Sequence, residues 1–261
     1  MKIYSKYIDV CKNAAVAAGQ KIMEIYQTDF DNTIEIKADN SPLTIADKAS
    51  NEIIIKALED NFPEVSILSE ESKQDETRFS NDLCFVVDPL DGTKEFIKKN
   101  GEFTVNIALA DKHKVKMGII YVPVTGVIYY AAEGYGAFKE ENGEATPISV
   151  TDKVDSLILV GSKSHASDNL KALIEEKKHL IAETVSAGSS LKGTMIAEGK
   201  ADVYYRFGYT CEWDTAAMQC IVEQAGGYFR QMDGSEMTYN RENNLNEKGF
   251  FALNRKENLW I

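Results

Sequence analysis

The segment from Cys84 to Thr93 sets the tightest limit on what this chain can fold into. Cys84-Phe85-Val86-Val87 is an unbroken apolar run of strand length, and it ends in Asp88-Pro89-Leu90-Asp91-Gly92-Thr93. Pro89 cannot donate to a ladder, and Asp91-Gly92 is a turn pair. A fold that accepts this segment must bury a strand and deliver two carboxylates onto a tight turn at its end. Aimed at one point, those carboxylates repel each other unless a cation lies between them. Hard oxygen ligands of this kind suit magnesium, which keeps waters and also takes substrate phosphate. Read alone, the hexapeptide is also compatible with a strand-ending turn whose acids are solvated.

Three further acids stand where chain direction changes. Glu70-Glu71 closes the apolar run Val65–Leu68; adjacent side chains diverge, so one of the pair, Glu70, is expected to share a pocket with Asp88. Asp47 lies three residues after Thr44 at a helix start, where it completes a capping box or accepts a proton from an attacking water, with Thr93 as relay. Asp214, in Glu212-Trp213-Asp214-Thr215-Ala216-Ala217, opens another helix, where it caps the helix or reaches the same cations from the second half of the chain.

Around these points the chain alternates helices and strands. Cys11, Ala15, Ala18, Ile22 and Ile25 recur at steps of three and four, which predicts an amphipathic helix over 4–26. A second helix runs from Thr44 to Asn61-Phe62-Pro63. Strands are expected near 65–68, 84–87, 103–110, 116–122, 126–131, 157–160 and 201–205, and helices near 168–178, 191–198 and 213–224. Several strands come in succession, which suggests layered sheets and helices and not a simple doubly wound sheet. The length, 261 residues, fits one large domain or two closely packed lobes, 1–145 and 146–261, meeting in the Gly-, Glu- and Lys-rich stretch near 135–155.

Composition excludes some partners. A net charge of −12 argues against a nucleic-acid backbone, which needs a basic stripe, but not against an anionic small molecule held through cations. The four cysteines form no C-x-x-C pair and suggest reduced thiols; the three histidines lack zinc-ligand spacing. No run approaches a membrane span and the N-terminus does not read as a signal peptide. A cytoplasmic protein is the expectation, with peripheral attachment at the inner membrane left open, as is the choice between monomer and homodimer.

Together the motifs resemble the inositol monophosphatase superfamily. Leu68-Ser69-Glu70-Glu71-Ser72, Val87-Asp88-Pro89-Leu90-Asp91-Gly92-Thr93, Trp213-Asp214-Thr215-Ala216-Ala217 and Gln224-Ala225-Gly226-Gly227 match it in order and spacing over nearly the whole chain. The segments Lys37–Thr44, Asp91–Asn106, Ser164-His165, Gly188-Ser189-Ser190-Leu191-Lys192 and Tyr205-Arg206-Phe207-Gly208 look like the 3′(2′),5′-bisphosphate nucleotidase branch of CysQ type.

The resemblance implies a layered α-β-α-β-α sandwich of the α/β (α+β) class. It assigns Glu70, Asp88, Asp91, Asp214 and the Leu90 carbonyl to two or three Mg2+ ions. It also gives Asp47, Thr93 and Glu70 to water activation, and Gly92, Thr93, His165, Ser189, Lys192, Arg206 and Asp214 to substrate. The expected reaction is hydrolysis of adenosine 3′,5′-bisphosphate to AMP and phosphate by metal-activated water, clearing a by-product of sulfate activation, with lithium as an inhibitor. The alternatives are another phosphatase of the superfamily, acting on inositol or sugar phosphates, and a non-catalytic nucleotide or metal sensor. One departure is Met218, where many relatives carry glycine.

Overall fold

The computed structural model describes residues 4–28, 35–36, 42–73, 75–162 and 167–261. Its architecture follows from two sheets, each with apolar side chains on both faces. The first has seven strands in the order β3-β4-β5-β6-β7-β8-β9: β3 (Ser66–Ser69), β4 (Leu83–Asp91), β5 (Thr104–Asp111), β6 (Lys114–Val122), β7 (Val127–Ala132), β8 (Gly136–Glu141) and β9 (Glu144–Ile148). β3 runs parallel to β4, and every later neighbour is antiparallel. The second has five strands in the order β11-β10-β12-β14-β13: β10 (Leu157–Gly161), β11 (Ile181–Ser186), β12 (Val203–Arg206), β13 (Tyr228–Gln231) and β14 (Phe250–Leu253). The short pair β1 (Glu35–Ile36) and β2 (Pro42–Leu43) forms a separate ribbon.

The period-two alternation of the strands sorts the layers. Phe85, Val87, Val105, Ile107, Leu109 and Ile119 point to one face of the seven-stranded sheet. There they pack with Cys11, Ala15, Ala18 and Ile22 of α1 (Ser5–Tyr26) and Ile54 and Leu58 of α2 (Ile45–Asn61). Val86, Ala108, Ala110 and Ile120 point to the other face. They share a core with α5 (Leu191–Ala197), α6 (Glu212–Gln224) and the inner face of the second sheet, including Val160, Tyr204, Phe229 and Phe250. The outer face of that sheet, with Leu159, Val203, Tyr205 and Phe251, is covered by Leu170 and Leu173 of α4 (Asp168–Lys177). The layers are therefore α1/α2, sheet, α5/α6, sheet, α4, the sandwich that the resemblance implies.

Two local features aim the site. β4 does not stop at Pro89. It continues to Asp91, but its pairing with β5 slips between Asp88, opposite Asn106, and Asp91, opposite Thr104. One extra residue on β4 makes a bulge, which is where a sheet tolerates proline and re-aims side chains; the sequence had suggested a simple stop. Gly118 on β6 lets α6 come close, since a Cβ there would lie 2.6 Å from the Ala217 carbonyl oxygen. That approach carries the start of α6, and Asp214 with it, toward the end of β4.

The hairpin β8–β9 occupies the stretch that reads as a lobe boundary. Apart from the buried Ala137, its residues are partly or fully exposed and include Pro147, which an edge strand accepts. The passage from the first sheet to the second lies between Ile148 and Leu157. Among the described residues no helix is long and apolar enough to cross a membrane, and the four cysteines are free.

Candidate metal and phosphate site

Carboxylate oxygens of Asp88, Asp91 and Asp214 all lie within 4.8 Å of one another. Each arrives by a different route. Asp88 and Asp91 flank the β4 bulge; the Asp88 carboxylate, 1% exposed, accepts from the Leu90 amide at 3.1 Å. Asp214 is the third residue of α6 and accepts from the Cys211 amide at 2.5 Å, so the same acid caps its helix and faces the cluster.

The acids repel one another strongly. Burial, then Glu70, Asp91, Asp214 and Asp47, push the Asp88 carboxyl well above the usual carboxylate range. These four neighbouring charges are all acidic. Burial and then Asp91 push Asp214 up to about 8. Glu70, at the end of β3, repels both acids, consistent with the reading that this member of the Glu70-Glu71 pair turns inward. Buried like charges held this close are costly without a cation, and an all-oxygen donor set fits a hard divalent ion.

Asp47 and Thr93 meet, and Asp47 completes the capping box that the sequence offered. One Asp47 oxygen accepts from the Thr44 amide at 2.8 Å and the Thr44 hydroxyl at 2.6 Å, closing the capping box of α2. The other accepts from the Thr93 hydroxyl at 3.0 Å. Ser50, one turn along α2, donates to the Pro89 carbonyl at 2.6 Å and ties the helix to the bulge. Gly92, at φ 95°, makes the left-handed turn from β4 into the short helix α3 (Thr93–Ile97). A side chain there would crowd the Glu102 carbonyl at 3.1 Å and Ser189 at 3.3 Å.

Several polar residues of the segments that carry the resemblance hold the acids. One Asp91 oxygen accepts from Ser189 and Ser190 at 2.7 Å each and from Asn106 at 3.2 Å. These donors fix its orientation, as polar neighbours of metal ligands generally do. Ser190 and Asn106 are bonded to each other at 2.9 Å, and Thr104 joins Ser189 at 2.7 Å. Glu212, beside Asp214 in sequence, is fully buried and turns away, accepting from the Asn240 and Arg241 amides at 2.6 and 3.0 Å.

A cavity opens beside the acids, bordered by Asp91, Gly92, Ser189, Lys192, Arg206 and Asp214 among others. Lys192 is 7% exposed, not a solvated helix residue; its ammonium donates to the Ser189 and Ala187 carbonyls at 2.6 and 3.3 Å. Burial lowers its pKa, against the pull of Asp91. Arg206 lines the wall, and its Nε is shielded with no hydrogen-bond partner among the described residues. A guanidinium that lines a cavity beside a carboxylate cluster suits a phosphate oxygen. Met218 lies against Gly193, where a Cβ would be 2.1 Å from the Met218 Cγ. The missing glycine of α6 is thus matched by a glycine on α5. His165 and the Lys37–Ser41 part of its motif lie outside the described residues.

A buried carboxylate cluster beside a cation-lined cavity, in a five-layer sandwich, defines the class. The profile of the Inositol monophosphatase family matches residues 4–258, and the chain belongs to that family. It is 43% identical over 235 residues to the 3′(2′),5′-bisphosphate nucleotidase CysQ of Escherichia coli (strain K12), covering 89% of this chain and 94% of that protein. It is 39% identical over 259 residues to the CysQ nucleotidase of Buchnera aphidicola subsp. Acyrthosiphon pisum, covering 96% of this chain and 94% of that one. The crystal structure of CysQ from Bacteroides thetaiotaomicron superposes with a TM-score of 0.85 at 41% identity, over 97% of this chain and 99% of the other.

Proposed function

We propose that the protein is a magnesium-dependent 3′(2′),5′-bisphosphate nucleotidase that hydrolyses adenosine 3′,5′-bisphosphate to AMP and phosphate. The observation that carries this reading is the convergence of Asp88, Asp91 and Asp214 on a cavity walled by Lys192 and Arg206. A substrate with two phosphates needs two such regions, one to react and one to anchor. The similarity to the CysQ nucleotidases supports the choice of substrate within the family.

Glu70, Asp88, Asp91, Asp214 and the Leu90 carbonyl would hold two or three Mg2+ ions. Bound there, the ions neutralise the phosphoryl oxygens and acidify water. The remaining work belongs to the chain. The Thr93 hydroxyl donates to Asp47; in the proposed relay its oxygen accepts a proton from the attacking water while its own proton passes to Asp47. The Gly92 and Thr93 amides at the start of α3 orient the reacting phosphoryl group. Lys192 and Arg206 bind the phosphate that is retained, with Ser189 and His165 beside them. In this scheme residues 1–145 supply most metal ligands, and 146–261 supply Asp214 and the substrate contacts.

The test is phosphate release from adenosine 3′,5′-bisphosphate, inositol 1-phosphate and fructose 1,6-bisphosphate, each with and without Mg2+. The expected result is Mg2+-dependent turnover with a clear preference for the nucleotide. Preference for inositol 1-phosphate would assign the chain to another phosphatase activity of its family. Tight nucleotide binding with no turnover would make it a sensor.

A further inference from the structure

We infer that Tyr209 is the platform on which the purine base of the substrate stacks, so that this residue sets preference for a nucleoside bisphosphate over a sugar phosphate. The inference rests on the nucleotidase reading and adds the residue that reads the base. The cavity beside the acids has a volume of ≈ 190 Å³, below the roughly 300–1,000 Å³ of sites that enclose a whole small ligand. Its polar end is committed to phosphate by the carboxylate cluster and the two cations. Phosphates and ribose fill such a volume, and the base has to lie across the mouth.

Tyr209 stands at that mouth. It borders the cavity and is 68% exposed, the most exposed of the large hydrophobic side chains among the described residues, and of those the only one that lines it. The other aromatic rings of the cavity, Tyr204 and Phe250, are 3% and 1% exposed and form its floor. They offer no open face. Tyr209 also sits in the segment that joins Arg206 on β12 to Asp214 on α6, and its carbonyl accepts from the Arg206 guanidinium at 3.5 Å. The anchor for the retained phosphate and the candidate base platform are thereby held together. Exposed apolar side chains are common on protein surfaces; one placed at the open side of a phosphate cavity has a use that the others lack. Stacking needs only a ring face, so it suits a base that is mostly outside the cavity.

The test compares wild type, Tyr209→Ala and Tyr209→Phe on adenosine 3′,5′-bisphosphate and on glycerol 2-phosphate, which carries no base. Melting temperature is recorded alongside. Tyr209→Ala is expected to raise KM for the nucleotide by about 5- to 150-fold, the range for loss of one base stacked on an aromatic ring, with kcat changed much less. The ratio of kcat/KM for the nucleotide to that for glycerol 2-phosphate falls by the same factor. Tyr209→Phe restores the ratio, because the ring remains. An unchanged ratio, or equal losses on both substrates, overturns the inference; equal losses would mean that the segment merely positions Arg206 and Asp214. If wild type itself does not turn over the nucleotide, the nucleotidase reading has failed first, and that result is distinct from the two just named.

Discussion

Asp88→Asn is expected to inactivate the enzyme while making the metal-free protein more stable. On the activity side, the substitution removes a carboxylate from the centre of the cluster. Charge stabilisation by a divalent ion is worth several kcal/mol, and each 1.36 kcal/mol is a factor of ten, so kcat/KM should fall about 10³-fold or more. On the stability side, Asp88 is repelled by Glu70, Asp91, Asp214 and Asp47 in a buried setting, and asparagine keeps its shape without the charge.

The same electrostatics fix a pH dependence. In the metal-free fold Asp88 and Asp214 are pushed up, Asp214 to about 8, whereas in the unfolded chain an aspartate titrates near ~3.9. Between those values the folded state holds more protons than the unfolded one, so stability falls as pH rises from about 4 toward about 8. Saturating Mg2+ binds the folded state and should remove most of that slope. Asp88→Asn should flatten the slope in chelator and raise the melting temperature at the alkaline end, by about 2–4 °C for each kcal/mol of repulsion relieved. Thermal melts from pH 5 to 8, with EDTA or Mg2+, read all of this. A wild-type melting temperature that ignores both pH and chelator, or an Asn variant that melts lower in EDTA, contradicts the account.

Asp47→Asn is expected to lower kcat by about 10²- to 10⁴-fold, the usual contribution of a placed general base. KM should change little, since the phosphate contacts are elsewhere. The side chain also closes the capping box of α2, and loss of a cap costs about 1 kcal/mol, so a fall of only about 2–4 °C in melting temperature accompanies the loss of rate. The two effects differ enough in size to be separated by steady-state kinetics and a thermal melt on the same preparation. A kcat within tenfold of wild type would remove Asp47 and Thr93 from proton transfer and leave them as a cap and its neighbour.

The residues that could be read from the sequence are those whose local chemistry announces them. Thr44 and Asp47 spell a capping box, Cys84–Val87 spell a buried strand, and the Asp88–Thr93 segment puts two acids where a strand must turn. The near-continuous apolar runs of β4 and β5 also mark strands buried on both faces. What could not be read depends on pairing. Asn106 reaches Asp91 because the β4 bulge sets Asp88 opposite Asn106 and Asp91 opposite Thr104, and Ser190 reaches it from the start of α5. The approach of α6 depends on Gly118 meeting Ala217, a contact between residues distant in sequence. β8 and β9 escape notice because a hairpin that ends a sheet carries charged, exposed residues, which erase the alternation that marks a half-buried strand. Lys192 is marked by the resemblance, but its burial follows only from the fold.

The measurement closest to the central claim is the location of divalent ions by anomalous scattering from crystals grown with Mn2+, a hard ion that carboxylate and water ligands also suit. The account predicts two or three peaks enclosed by Glu70, Asp88, Asp91 and Asp214, with one near the Leu90 carbonyl. Peaks confined to surface acids, or an acid cluster that stays empty at saturating Mn2+ in an active enzyme, would contradict it.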